Sequence, residues 1–192
     1  MNKLTIKKAI IIVALLNFIY FFIEFFIAIN IHSVSLFADS IDFLEDAFTN
    51  FLILLGLFLS LKNRIKIGYI LIAIILIPSM FTLYFTITQF VNPVVPEAFT
   101  LFKVGFFGLL INLFCAFLMT KFNNANNSLL LTAYYTARND AYANFLIMIA
   151  SLVTFYTLSH YPDLIVGILI FLLKLDASKA IYIQMKKEHG ML

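Results

Sequence analysis

Six apolar stretches, each long enough to cross a bilayer, constrain this chain more than any other feature. A hydrocarbon core about 30 Å thick requires roughly 20 residues of α-helix. The predicted spans are 9–30, 34–61, 65–90, 99–122, 129–158 and 161–179. Only 12% of the residues are charged and 63% are hydrophobic, whereas soluble domains carry about 25% charged residues. We therefore predict an all-α integral membrane protein, residues 1–192 forming a single six-helix transmembrane domain with no soluble domain, which excludes a soluble enzyme and a nucleic-acid-binding protein.

Basic residues at or beyond the ends of the spans predict the orientation of the chain. They are Lys3, Lys7, Lys8, Lys62, Arg64, Lys66, Lys121, Lys186 and Lys187. If the spans alternate in direction, all of these fall on one side, and the opposite connections (31–33, 92–97 and 159–161) contain no Lys or Arg. Because Lys and Arg accumulate in cytoplasmic loops, we predict a multi-pass protein of the inner (plasma) membrane with both termini in the cytoplasm. The first stretch is too long for a signal-peptide core and is interpreted as a retained helix.

Acidic side chains inside the spans are the second strong signal. They include Glu24, Asp39, Asp42, Glu45, Asp46 and Asp140. Each ionised group costs on the order of 2.5–3.5 kcal/mol at the centre of a membrane helix, so such acids usually line a pathway or bind an ion. At about 100° per residue, Asp39, Asp42 and Asp46 share one helix face. Asp42 and Asp46 can therefore converge on one cation, while Glu24 and Glu45 are expected to face elsewhere.

The fifth span carries a second polar stripe, formed by Thr136, Asp140 and Asn144. In addition, segment 46–53 (DAFTNFLI) matches segment 140–147 (DAYANFLI) at six of eight positions. The second and fifth spans run in opposite directions in the predicted topology. The match therefore predicts a 3+3 inverted repeat, with a polar site at mid-membrane between the two copies.

A divalent cation explains the carboxylates of the second and fifth spans better than any other ligand. Two carboxylates about 5 Å apart repel by roughly 3 kcal/mol at an effective dielectric constant of about 20. The empty site is therefore expected to hold protons, which a dication displaces, and this exchange is the minimal chemistry of an antiporter. Oxygen ligands suit manganese, iron, magnesium or calcium, whereas zinc prefers His or Cys alongside. A structural polar cluster between helices is the alternative interpretation.

The segment 33–46 (SVSLFADSIDFLED) resembles the second transmembrane helix of the cation diffusion facilitator family. In that helix a His or Asp, three residues and then an Asp supply half of a metal site. Asp42 and Asp46 occupy those two positions. Asp140 falls on the Asp of the matching motif in the fifth helix, and the sequence YPD at 161–163 is similar to the family's entry to the sixth helix.

This resemblance covers roughly residues 8–180 and implies a secondary transporter, not an enzyme. Its transported substrate would be a divalent metal ion (zinc, manganese, iron, cobalt or cadmium), exported in exchange for protons by a homodimer in the lipid membrane. No prosthetic cofactor and no nucleic acid are implied. Thr136 replaces the family's usual His or Asp, so the fourth ligand is left open between Asn144, the Thr136 hydroxyl and water. The family's usual cytoplasmic C-terminal domain has no counterpart, so the chain resembles the short branch of the family.

Other polar residues receive subsidiary interpretations. Asp39 has two interpretations: a proton relay or contact of the ligands, or a solvated group near the outer end of its span. Asn50 is interpreted as a residue that forms interhelical hydrogen bonds or contacts the ligands. Arg138 lies about 200° around the helix from Asp140, so it is predicted to form a structural ion pair with an acid such as Glu45. Residues interpreted as ordinary loop or packing residues are His32, His160, Asn17, Asn112 and Cys115.

Two other function classes compete with a transporter. Asp42 and Asp46 also resemble the end of the acidic motif of metal-dependent phosphatidyltransferases, enzymes of phospholipid synthesis. The Asp-Gly pair and the Arg that those enzymes carry upstream are missing here. A passive cation channel or a non-transporting metal sensor is also compatible with the residues alone.

Overall fold

The computed structural model consists of six α-helices, and it describes residues 6–56, 61–120 and 128–188, with side chains mainly over 7–55, 77–120 and 137–173. The helices are α1 (Ile6–Asn30), α2 (Val34–Gly56), α3 (Leu61–Val91), α4 (Ala98–Thr120), α5 (Ser128–Thr157) and α6 (Tyr161–Glu188). The described residues contain no β-strand, so the all-helical prediction is confirmed. Each helix overlaps one predicted span, although residues 57–60 and 121–127, where two predicted spans end, lie outside the described residues.

Several of these helices are suited to a bilayer. Within the described residues, three segments are long and apolar enough to cross one: Lys7–Asn30, Ala98–Thr120 and Ala137–Thr157. Shorter apolar segments occur in α3 and α6. Large apolar side chains such as Phe26, Phe81 and Tyr156 are exposed, and so many exposed apolar side chains are favourable only in contact with lipid. The chain is therefore a multi-pass membrane protein.

Helix α2 occupies the centre of the packing, because it contacts each of the other five helices. The ring of Phe43 on α2 packs edge-on against Tyr20 of α1, with 4.7 Å between centroids. Tyr20 also donates its hydroxyl hydrogen to the Val104 carbonyl of α4 at 2.6 Å. On the α3 side, Phe37 stacks with Phe85 at 4.9 Å. These contacts surround α2 with protein, which allows it to carry acids that a lipid-facing helix could not.

Two tight turns place the beginnings of α2 and α6. Helix α1 ends in a Schellman motif: the Ser33 N–H donates to the Ala28 carbonyl at 2.9 Å and the His32 N–H donates to the Ile29 carbonyl at 3.3 Å. His32 has the left-handed φ of 57° that this motif requires. Helix α5 ends at Thr157, and the next residue, Leu158, has a φ of 51° and an N–H that donates to the carbonyl four residues earlier. Each turn reverses the chain within a few residues.

The first turn of α2 is capped by a side chain of α6. The Val34 and Ser35 N–H groups donate to the Asp163 carboxylate at 2.7 and 3.3 Å, and the Ser33 and Ser35 hydroxyls donate to the same carboxylate. The Leu36 N–H donates to Ser33 Oγ at 3.2 Å, and the next N–H donates to the Ser33 carbonyl. The Ser33 N–H itself donates to the Ala28 carbonyl, so all four N–H groups that a helix N-terminus leaves unsatisfied, those of residues 33–36, are bonded. The carboxylate also faces the positive end of the α2 dipole.

This cap fixes the relative direction of α2 and α5. Asp163 lies just after the short turn that follows α5, so α2 begins at the end of the bundle where α5 ends. The two helices also contact each other. They therefore run in opposite directions, as the predicted topology required.

Close approach of α6 to α2 depends on Gly167. A Cβ at this position would lie 2.5 Å from Val34 Cγ1 and 2.9 Å from the Val34 carbonyl carbon. Both distances are shorter than non-bonded atoms tolerate, and one of them involves backbone that cannot move independently. Glycine at 167 therefore lets α6 pack directly on the first turn of α2.

We expect Gly167→Ala to destabilise the protein by up to about 2 kcal/mol. Overpacking a tight contact costs about 1–3 kcal/mol, and the gain of roughly 1 kcal/mol in helix propensity offsets part of that cost. Gly105→Ala is the matched control, since its Cβ would meet Ile147 Cγ2 at 3.1 Å, and a small side-chain shift relieves that contact. Cys115 is buried and is the single cysteine, so its reaction with a thiol-reactive fluorophore on heating reports unfolding. Equal unfolding temperatures in the two variants would contradict the expectation.

Candidate functional site

The acids named above in the first, second and fifth spans are all buried by the helix bundle. Their exposed fractions are 0% for Glu24 and Asp39, 3% for Asp42, 5% for Asp46, 7% for Asp140 and 8% for Glu45. Of the two interpretations of Asp39, the solvated group near the end of the span is therefore wrong. Burial at these positions means that other protein groups, protons or an ion must compensate for the lost hydration of the carboxylates.

The first acid group consists of Glu24 on α1 with Asp39 and Asp42 on α2. Asp39 and Asp42 both act electrostatically on Glu24, so the expectation that Glu24 faces elsewhere is wrong. Neither Glu24 oxygen makes a hydrogen bond of ordinary geometry with a described residue. Because α1 and α2 form a tight antiparallel hairpin, the carboxylate six residues before the end of α1 lies beside the first turns of α2.

The second acid group consists of Asp46 on α2 and Asp140 on α5, and it lies about 10 Å further along α2 than Asp39. Both carboxylates are close enough to Cys115 of α4 to interact electrostatically with its thiol. Cys115 is completely buried, and its Sγ donates to Asn17 Oδ1 of α1 at 3.9 Å. The structure thus brings the aspartates of the repeated segment into one region, together with polar side chains of α1 and α4.

Each copy of the repeated segment contains the same side-chain hydrogen bond within its own helix. Asn50 Nδ2 donates to the Asp46 carbonyl at 2.8 Å, and Asn144 Nδ2 donates to the Asp140 carbonyl at 3.1 Å. Both asparagines are buried, and neither Oδ1 has a hydrogen-bond partner among the described residues. Each copy therefore presents, one turn after its aspartate, a buried amide oxygen that is available to a further ligand.

Helix α4 leaves space for the Asn144 amide at Gly108. A Cβ at Gly108 would lie 2.2 Å from Asn144 Oδ1. Gly108 of α4 thus lies opposite Asn144 of α5, and the two helices are antiparallel. One turn onwards in α4 and one turn back in α5, Asn112 therefore lies opposite Asp140, and Asn112 is 2% exposed. Gly108, Asn112 and Cys115 thus form the α4 face towards the second acid group. The spacing of these three residues, i, i+4 and i+7, could have indicated this face from the sequence. The sequence interpretation instead treated Asn112 as an ordinary packing residue.

Two of the predicted site residues lack a structural test. The side chain of Thr136 lies outside the described residues. Arg138 donates from Nη2 to Asn139 Oδ1 at 3.4 Å and lies 6.0 Å from the ring centroid of Tyr142, and its ion pair with Glu45 stays a prediction. Among the described residues, no three His, Cys, Asp or Glu side chains are close enough together to hold a metal ion. The ligand set as a whole therefore also stays a prediction.

Asp163 is the buried acid whose role sequence reasoning missed. It is 2% exposed and accepts its hydrogen bonds from the beginning of another helix. A signal was available, because an acid in the first turn of an apolar helix, together with serines before another helix, suggests a capping contact. The spacing within α6 alone could not show which helix it caps.

Comparison with known proteins gives one family match. Residues 10–180 match the family model described as the cation efflux transmembrane domain. This range contains both acid groups, both repeated segments and the Asp163 cap. A search of curated proteins gave no significant match.

We expect Gly108→Ala to displace the Asn144 amide, whose flexible end can rotate away from the new methyl group. The unfolding temperature should change little. Stabilisation by a divalent cation should fall as it does in Asn144→Ala, corresponding to about tenfold weaker binding or about 1.4 kcal/mol. Thermal unfolding with and without manganese or zinc measures both quantities. Undiminished cation stabilisation in Gly108→Ala, beside a clear loss in Asn144→Ala, would contradict this placement.

Proposed function

Since the chain belongs to the cation efflux family, and members of that family are transporters rather than enzymes, we propose that it exports a divalent metal cation from the cytoplasm in exchange for protons. The observation that carries this proposal is the pair Asp46 and Asp140. They are buried carboxylates from two oppositely running helices, and both lie within electrostatic reach of one thiol. Such a pair favours a dication or protons over an empty, doubly ionised state.

The proposed cation ligands are the carboxylates of Asp42, Asp46 and Asp140, completed by Asn144 or Thr136. The unpartnered Oδ1 of Asn144 supports its inclusion, because an amide oxygen is a suitable ligand for a hard cation. Asn50 has the same local geometry on α2 and is proposed as a neighbouring contact of the ligands. A donor set made of oxygens suits manganese, iron, magnesium or calcium, whereas zinc prefers His or Cys alongside.

The exchange follows from competition for the same carboxylate oxygens. A cation that arrives from the cytoplasm displaces protons from the acids, and rearrangement of the helices then opens the site to the opposite side. Protons from that side neutralise the carboxylates, remove their attraction for the cation and release it. In this proposal Asp39, with Glu24 beside it, relays protons between the site and the end of the bundle at which α2 begins.

The two halves of the chain are proposed to be inverted repeats around this site. The matching Asn–Asp hydrogen bonds of α2 and α5, and the opposite directions of these helices, support the assignment. Inverted repeats allow one half to rock against the other, which is how many secondary transporters alternate access. The distribution of basic residues supports cytoplasmic termini in the inner membrane, and we propose a homodimer as the working assembly.

We expect Asp46→Asn and Asp140→Asn each to reduce metal-dependent proton flux to the level of protein-free vesicles. The substitution removes the charge for which cation and proton compete and keeps the size of the side chain. Purified protein in vesicles that contain a pH-sensitive dye allows zinc, manganese, iron, cobalt and cadmium to be compared. Glu97→Gln is the control, because it removes one carboxylate charge from an exposed position at the beginning of α4. Full flux in either site variant would refute the site.

At equal metal concentrations on both sides, we also expect metal movement to follow the pH difference across the vesicle membrane and to stop when that difference is abolished. If two protons exchange for each dication, the cycle moves no net charge, so a membrane potential imposed at equal pH and equal metal concentration should drive little metal movement. Radioactive or fluorescent detection of metal, under imposed pH or voltage gradients, separates the two driving forces. Metal flux driven by voltage alone would instead identify a passive channel.

A further inference from the structure

The Asp163 carboxylate joins α6 to the helix that carries most of the proposed ligands. It accepts hydrogen bonds from two backbone N–H groups and two hydroxyl groups of residues 33–35. The carboxylate and the two serines are buried. Charge-assisted hydrogen bonds of this kind are stronger and geometrically more restrictive than neutral ones. The beginning of α2 is therefore held against α6 from several directions at once.

This connection restricts the rotation of α2 as well as its position along the bundle. The bonds from Val34 and Ser35 come from adjacent peptide groups, which point in different directions around the helix axis. Gly167 brings the α6 backbone against the same turn. An α-helix is stiff over this length, and Asp42 lies only about 12 Å along the axis from Val34. A rotation of about 20° at the first turn would therefore move a carboxylate on the helix surface by about 2 Å.

We infer that Asp163 is a positioning residue for cation transport: by fixing the first turn of α2 to α6, it sets where the α2 carboxylates lie relative to those of α5. Asp163 is on α6 and touches neither acid group through a described hydrogen bond. Its effect on the cation is therefore indirect, through the orientation of α2. This inference rests on the proposed function, because it concerns the geometry of the same ligands.

The test compares apparent metal affinity with maximal rate in vesicles. Asp163→Asn keeps one acceptor oxygen but places an amide N–H where the carboxylate accepted hydrogen bonds. We expect the KM for the metal to rise about tenfold, the lower end of what outer positioning groups contribute at metal sites. The maximal rate should change by less than about threefold, because the ligands themselves are retained and are only misplaced.

Two further variants separate positioning from general stability. Ile10→Val removes one methylene group from a buried position near the beginning of α1, far along that helix from Glu24, and should lower the unfolding temperature without raising the KM. Ser33→Ala combined with Ser35→Ala removes the hydroxyl partners of Asp163 and should raise the KM. Adding Asp163→Asn to these two substitutions should then raise the KM by less than it does alone, because partners in one network are not additive.

The outcomes distinguish this inference from the proposed function. If Asp46→Asn abolishes transport while folded Asp163→Asn keeps the wild-type KM, the inference is overturned and the function stands. An equal rise in KM for Ile10→Val, or fully additive effects of Asp163 and the serines, would also overturn it. If Asp163→Asn does not fold, Ser35→Ala alone provides the test, and an unchanged KM in that variant overturns the inference. Wild-type transport by Asp46→Asn would remove the proposed function itself.

Discussion

A carboxylate surrounded by helices in a membrane is stable only if something replaces the water it has lost. The structure meets this requirement in two different ways. Asp163 receives four hydrogen bonds from the beginning of α2, so protein groups compensate for its burial. Glu24 is equally buried, but the side chain with which it interacts most directly is Asp39, and Asp42 is a further carboxylate within electrostatic reach. The first arrangement is typical of structural acids, and the second is typical of acids that exchange protons or ions.

The position of α2 follows from the same requirement. A helix with four acids is costly in contact with lipid, so it must be enclosed, and α2 contacts all five other helices. Aromatic packing by Tyr20 and Phe85, the Asp163 cap and the absence of a side chain at Gly167 all contribute to that enclosure. Being enclosed, α2 can hold Asp39 and Asp42 within electrostatic reach of Glu24, and Asp46 within reach of the thiol that Asp140 also approaches. The charge pattern and the central packing of α2 are thus two consequences of one energetic constraint.

Much of this arrangement could be predicted from local patterns. Apolar length predicted the helices, and the spacing of Asp46, Asn50, Asp140 and Asn144 predicted that two helices present similar polar faces. Their Asn-to-carbonyl hydrogen bonds are local, between residues four apart, and local geometry is what a sequence pattern encodes. The family resemblance and the family match agree over nearly the same residues.

Contacts between helices that are distant in the sequence were harder to predict from the sequence. The pairing of Glu24 with Asp39 depends on how α1 lies against α2, and the contact of Asp163 with Ser33 depends on the approach of α6. No periodicity within one helix contains that information. Gly108 is similar: a single glycine in an apolar helix gives no indication that an asparagine amide from another helix occupies the space beside it.

The acids of α2 also have a consequence for how the chain enters the membrane during synthesis. Within the described residues α2 is not among the segments that are apolar enough to cross on their own, whereas α1 is. The Schellman turn at His32 joins the two helices so closely that they can enter the translocon as one hairpin. The strongly apolar first arm would then supply the free energy needed to bring the acidic second arm into the lipid, before the remaining helices exist to enclose it.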